Sequence, residues 1–442
     1  MKTRRVLPAL AGLLVLTGIV GAAEPTFNSD QLRADLQAIR NALFEMPADL
    51  SHSVDAGDLE TAIRRLDGNL AGSPPVTRDE AWRAFATLNP LLADGHLFIG
   101  FVDWRADVRA HLAHGGSLFP VGVRVTPECR VSLHDARSPS MQQLDGAPIS
   151  NVNGIPMREL CSRMMERVHG DTRLFRADLL ERRFWFFYWK LYGAPAKYRL
   201  TFDSGGTLDL DGSTALPDLL AAEESFDRQF ELTMLPGAAI LKLGSFAWPK
   251  KDEVLAFTKA AFESLHDRKI RTLIIDLRDN GGGNDDQWIE GVMPYVAMQR
   301  WRTASTYRKR AVVADPAKRE KAGEVVDGEM QTWYEPQPEN PARFVGNIFV
   351  VVGPGTYSSA VVMATVFQDF GFGKIIGTGD SVRASQSGGT RRTTLTNTGL
   401  IVVTPRFVLR RPSGAKQPEL LTPDIELDDS ASIDDIARKL GK

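Results

Sequence analysis

Two short stretches of this 442-residue chain carry residue types that can do nucleophilic chemistry together. Gly355-Thr-Tyr-Ser-Ser-Ala360 places two hydroxyls, Ser358 and Ser359, at the mouth of an apolar segment containing Val361, Val362, Met363, Val366 and Phe367. A hydroxyl at such a helix start lies among unpaired N–H groups, whose donors and dipole stabilise developing negative charge. The same serines also fit a plain helix N-cap, a commoner use of serine than nucleophilic attack. Upstream, Asp279-Asn-Gly-Gly-Gly283 leaves an apolar, strand-like run. Three glycines let the backbone approach a ligand with no side chain in the way. Their spacing lacks the Gly-x-x-x-x-Gly-Lys-Ser/Thr pattern of a phosphate loop. Asp276, Asp279, Asp285 and Asp286 could ligate a hard cation, but they match no Ca²⁺-loop spacing and read as a solvated acidic loop. A hydroxyl nucleophile beside a backbone oxyanion cradle is the equipment of a hydrolase.

The elements that must position these residues follow an α/β pattern from about residue 236. Strands are predicted at 238–243, 272–277, 347–352, 374–376 and 400–404, with helices at 253–265 and 357–370, the latter stopped by Gly371. Residues 29–92 read instead as helices. Leu32, Leu36, Ile39 and Leu43 repeat at helical spacing, as do Leu59, Ala62, Ile63 and Leu66. Thr77 and Glu80 form a capping-box start, and Gly95 in Asp94-Gly-His96 reads as the stop of this helical part. Residues 103–215 alternate short apolar stretches with turns at Asp145-Gly146 and Asn153-Gly154, and a helix is predicted at 157–168. The aromatic run at 184–189 reads as an element buried on several faces or as the wall of a substrate groove.

Composition narrows the class. Hydrophobic residues make up 43% and charged residues 24%, with a net charge of −2, so no basic excess points to nucleic acid. Lys2, Arg4 and Arg5 precede an apolar run that ends in Gly21-Ala22-Ala23, the layout of a secretory signal at residues 1–23. That run is short for a membrane span, and no later segment is long enough for one. The expectation is a periplasmic or secreted protein that does not span the membrane. Cys129 and Cys161 can bridge in such a compartment or remain separate thiols.

Taken in order, the motifs resemble the serine peptidases that include the C-terminal-processing (tail-specific) peptidases and the tricorn core peptidases. The resemblance extends over residues 238–427. It rests on Ile240-Leu-Lys-Leu-Gly-Ser-Phe246, Leu273-Ile-Ile-Asp-Leu-Arg-Asp-Asn-Gly-Gly-Gly283 and Gly355-Thr-Tyr-Ser-Ser-Ala360. Gln368-Asp-Phe-Gly371, Ile376-Gly377 and Thr422-Pro-Asp-Ile425 complete it. It implies an α/β chain with a crotonase/ClpP-like core at 216–442, an N-terminal helical domain at 24–102 and a degenerate PDZ-like domain at 103–215. Gly146-Ala-Pro-Ile-Ser-Asn-Val-Asn-Gly154 is similar to the Gly-x-x-Ile-x-x-Val-Asn-Gly part of a PDZ domain, a module that adds a peptide C-terminus to a sheet edge.

The resemblance also assigns roles. It makes Ser358 the nucleophile and gives the oxyanion to the N–H of Ser359 with Gly281 or Gly282 as second donor. The processing peptidases place a lysine base 25 positions after the nucleophile, where this chain has Arg383. Arginine stays protonated and cannot take a proton. The tricorn branch uses a histidine from the helical region, and His96 stands at the matching point with a pKa suited to general-base work. The resemblance is therefore closer to that branch. The other histidines, His52, His111, His114, His134, His169 and His266, lie in no matching motif. Tricorn-type sites also hold a carboxylate and a second serine near the histidine. Gly95 occupies the place of that serine, and Glu419 is the nearest acid ahead of Thr422-Pro-Asp. Arg383 reads as a carboxylate anchor, a lining of the oxyanion pocket or a surface ion pair, and residues 385–389 as a loop. The expected function is hydrolysis of peptides or partly unfolded exported proteins through an acyl-enzyme, without metal or organic cofactor. The alternative is an inactive binder of peptides or apolar ligands on the same scaffold.

Overall fold

A computed structural model describes residues 24–134, 139–317, 319–427 and 432–440, so the leader at 1–23 lies outside the described residues. The chain is a mixed α/β fold. Its second half is organised on a six-stranded sheet in the order Phe230–Leu235, Ala238–Leu243, Thr272–Asp276, Asn347–Val352, Lys374–Gly377 and Ile425–Glu426. The first pair is antiparallel and the rest are parallel. The central strands are near-continuous apolar runs because both faces are covered. Successive side chains alternate between the faces. Leu241, Ile275 and Val350 pack against one side with Phe262 and Phe367, while Ile240, Ile274 and Val351 meet Ile436 and Ala437 on the other. The helices Lys251–Asp267 and Ser359–Phe370 carry the packing of the first side. Gly371 closes the second of them in the left-handed conformation, φ 69°.

The N-terminal half is built differently. The helices Ser29–Glu45, Ala56–Leu70 and Arg78–Phe85 bury their apolar stripes, and Thr77 and Glu80 form the capping box read from the sequence. One apolar cluster runs from Leu32 to Leu220 and takes in Leu395, Leu400 and Val402 from the far end of the chain. The aromatic run forms the helix Phe184–Tyr192, whose Phe184, Trp185, Phe186, Phe187 and Tyr188 are all buried. Cys129 and Cys161 are bridged, with Cα atoms 5.6 Å apart, which joins a turn to the helix Met157–Met165. No helix among the described residues is long and apolar enough to cross a membrane.

Three local expectations change. The helical part does not stop at Gly95: the last helix ends at Phe85, and a 3-10 turn follows at Ala86–Leu88. Gly95 serves a contact instead, because a Cβ there would lie 2.5 Å from Cζ of Tyr357. The helix predicted at 157–168 ends at Met165. Residues 385–389 are not all loop, since Gln386–Gly388 forms a strand beside Phe407–Leu409. That strand is fully buried yet polar in sequence, so no apolar pattern announces it.

Candidate active site

Ser358 stands at the tip of a sharp turn between the strand Asn347–Val352 and the helix Ser359–Phe370. Its backbone has φ 54° and ψ −124°, a conformation that costs about 1–3 kcal/mol for a residue with a Cβ. The turn is held from below. Thr356 accepts from the N–H of Gly353 at 3.0 Å and donates to Leu277 O at 2.8 Å, and Ser358 N–H donates to Gln386 Oε1 at 3.0 Å. Ser358 occupies the N-cap position, but its hydroxyl makes no cap bond. It lies 3.1 Å from Nε2 of His96.

His96 reaches this point by strand pairing. The strand Phe98–Gly100 joins Ile401–Thr404, with Val402 opposite Ile99 and Val403 opposite Phe98. Nδ1 of His96 lies 3.0 Å from Ser387 Oγ, and that hydroxyl donates to Asp94 Oδ1 at 2.9 Å. These contacts fix the tautomer. An ionised carboxylate only accepts, so the single proton of Ser387 goes to Asp94. Ser387 must then accept from Nδ1–H of His96, which leaves the Nε2 lone pair facing Ser358. Burial holds the His96 pKa below the ordinary imidazole value, against the pull of the Asp94 carboxylate. Burial also opposes the charge on Asp94. The charges of His96 and His52, with hydrogen bonds from His96 N–H and Ser387, outweigh it and keep that carboxyl below its ordinary range. Ser53 Oγ donates to the remaining oxygen at 3.0 Å.

The glycine turn lies against Ser358. Gly282 has φ +94°, and a Cβ on it would lie 2.6 Å from the Ser358 Cβ. Its N–H, however, donates to Asn280 Oδ1 at 2.8 Å. Gly282 is therefore not the second oxyanion donor that the resemblance left open. The N–H groups of Gly281 and Ser359 have no acceptor among the described residues and remain for that purpose. The Ser359 hydroxyl points elsewhere: it donates to Asp285 and accepts from Trp288 Nε1 at 3.0 Å. The aspartates near the turn are separately engaged, Asp276 by Arg278 and Asp279 by Arg182, each at 2.9 Å.

Two expected residues are placed away from the reacting atoms. Arg383 donates to Ala93 O at 2.5 Å and to Glu419 at 3.3 Å, and its backbone N–H holds Asp171 at 2.9 Å. It lies beneath the histidine loop rather than at the oxyanion pocket. Glu419 pairs with Arg383 and does not meet His96; its side chain is 65% exposed, too open for a buried orienting role. Asp94 and Ser387 hold the Nδ1 side of His96 instead. No sequence signal marked either one, because Asp94 sits in a helix-end pattern and Ser387 in a loop-like stretch. Tyr357 links the halves: its hydroxyl donates to Asp171 at 3.0 Å and accepts from Gly95 N–H at 2.8 Å. Burial, then the Asp94 charge, pushes the Asp171 pKa up to about 6.

A cleft of about 1440 Å³ opens over Gly281, Gly282 and Tyr357 and runs between the two halves. Trp185 and Phe186 of the aromatic helix line it. The run is an element buried on several faces, and two of its residues also supply a wall of the cleft.

Residues 237–427 match the model of peptidase family S41, and this segment is a peptidase S41 domain. No curated protein matches the chain. Among solved structures, a mutant of CPAF aligns at 13% identity over 93% of this chain and 95% of its own, with a TM-score of 0.67. Mature CPAF complexed with lactacystin aligns at 13% identity over 90% and 94%, with a TM-score of 0.64. The photosystem II D1 C-terminal processing protease aligns at 16% identity over 93% and 97%, with a TM-score of 0.48. At these identities the likeness to CPAF is one of fold.

Proposed function

We propose that the chain is an exported serine peptidase that uses a histidine base and forms an acyl-enzyme on Ser358. The observation that carries this is the 3.1 Å approach of His96 Nε2 to Ser358 Oγ, with the Nδ1 proton committed to Ser387. The Ser358 oxygen attacks a scissile carbonyl as His96 Nε2 takes the hydroxyl proton. The carbonyl oxygen becomes an oxyanion and meets the N–H groups of Gly281 and Ser359, which are aimed before the reaction begins. Collapse breaks the C–N bond, and His96 returns the proton to the leaving amine. Water then attacks the ester, with His96 again as base, and frees Ser358. Asp94 and Ser387 keep the imidazole in the tautomer this needs. Each of these steps is carried by side chains and backbone alone. The substrate class is peptide, consistent with the S41 domain. Export rests on the leader at 1–23, and a PDZ-like reading of 103–215 rests on the Gly146–Gly154 motif.

A fluorophosphonate probe tests the assignment. Label is expected on Ser358, lost in Ser358→Ala and strongly reduced in His96→Ala, with peptide hydrolysis lost in both. Label on Ser359, or full labelling without His96, would refute it.

A further inference from the structure

Arg183 joins the helices Arg173–Arg182 and Phe184–Tyr192 and lines the cleft. Its guanidinium lies over the indole of Trp104, 4.7 Å from the ring centroid. Its Nε is sealed from solvent without a hydrogen-bond partner, and the side chain makes no ion pair among the described residues. The charges around it give only partial relief, from Glu223 and Asp178. Arg105 and Arg182 are neighbours of like sign. The nearby carboxylates are committed elsewhere: both oxygens of Glu223 accept from Arg105, at 2.6 and 2.7 Å, and Asp178 accepts from Arg182 at 2.8 Å. Burial lowers the Arg183 pKa to about 10, so the group stays charged at neutral pH. A partly buried cation with a sealed, unbonded Nε and only an indole face against it carries a standing cost in the free protein. One carboxylate placed by the fold would have removed it.

We propose that Arg183 binds a carboxylate of the substrate in this cleft. The terminal N–H groups of the planar guanidinium suit two parallel N–H···O bonds, and Trp104 lies against the group. The corner is tied to the reacting centre. The neighbouring Arg182 pairs with Asp279 of the glycine turn at 2.9 Å and packs against Gly355, three residues before the nucleophile. A ligand that reaches Arg183 therefore lies in the same cleft as Gly281. The carboxylate is either an acidic side chain or a free C-terminus. Calling the ligand a substrate rests on the peptidase reading; the carboxylate site does not.

Binding separates the two claims. Fluorescein-labelled octapeptide pools are made with internal Glu or Gln, each with a free or amidated C-terminus, and titrated by anisotropy into Ser358→Ala protein. Pools with the recognised carboxylate are expected to bind about tenfold more tightly or better than the matched neutral pool, as charge-assisted hydrogen bonds imply. Adding Arg183→Met should abolish the difference, and Arg183→Lys should keep part of it. Which arm shows the preference identifies the source. Arg183→Met should melt close to its parent, because it loses the contact with Trp104 but also removes a charge that no ion pair satisfies. Equal binding of all four pools, no binding of any, or a preference that survives Arg183→Met overturns the proposal. A preference lost with Arg183 in a protein that never hydrolyses peptide would keep this site and reject the peptidase.

Discussion

Ser387 decides which nitrogen of His96 is open. Its proton is committed to Asp94, so it can only accept at Nδ1, and the Nε2 lone pair is held toward Ser358. Ser387→Ala removes the hydroxyl that receives Nδ1–H and leaves Asp94 3.8 Å from that nitrogen. The expected result is a fall in kcat of about 10²-fold, within the range general-base positioning supplies, with KM little changed. A steady-state comparison on one fluorogenic peptide reads this. Unchanged kcat would remove Ser387 from the arrangement. The pH profile belongs to the same scale. An imidazole must be neutral to take a proton, as the proposed mechanism requires of His96, and burial lowers its pKa. kcat/KM should therefore rise from acid with a midpoint below 6.5, the unperturbed value, and be flat through neutrality. A midpoint above 6.5 would mean that the Asp94 charge, not burial, dominates the imidazole.

Among the elements, the central parallel strands were legible because they are largely buried, apolar runs. Ala238–Leu243 and Asn347–Val352 have the bounds the pattern predicts. The helix Trp104–Ala113 was not legible, since Val108 is its only buried residue and the sequence carries almost no apolar stripe. The Gln386–Gly388 strand is buried but polar, so hydropathy is silent on it. Ser358, Ser359 and the glycines were visible through local motifs. Asp94 and Ser387 were not, because their partners are 293 residues apart in sequence. Gly95 was misread for the same reason: its contact, Tyr357, is 262 residues away. That contact yields a test. In Gly95→Ala the new methyl would sit 2.5 Å from Cζ and 2.7 Å from Cε1 of a buried ring. Relief requires the loop or the ring to move, at about 1–3 kcal/mol, the usual range for overpacking. The loop carries His96 one residue later, so kcat should drop by more than the melting temperature alone explains. A variant with wild-type melting and wild-type kcat would show that the ring yields freely.

At the scale of the whole molecule, the site exists only because the ends of the chain are joined. His96 comes from the N-terminal half, Ser358 and Ser387 from the C-terminal half, and the pairing of Phe98–Gly100 with Ile401–Thr404 holds them in register. That pairing has a polar anchor in Asp35, which is 1% exposed on the helix Ser29–Glu45. Asp35 accepts from Asn397 N and Nδ2 at 3.1 and 2.9 Å, and from Thr398 N and Oγ1 at 2.9 and 2.7 Å. These four bonds fix the turn that leads into Ile401–Thr404. Asp35→Ala strands buried donors and should lower unfolding free energy by about 3 kcal/mol, since hydrogen bonds to a charged group are the strong ones. Asp35→Asn keeps one acceptor and should cost less. If the anchor also sets the register, kcat of the folded Asp35→Ala protein falls although the substitution lies far along the chain from Ser358. Chemical denaturation and single-turnover rates, measured where all protein is folded, separate these effects. A destabilised variant with an unchanged single-turnover rate would assign the register to the apolar cluster of Leu32, Leu395, Leu400 and Val402 rather than to Asp35.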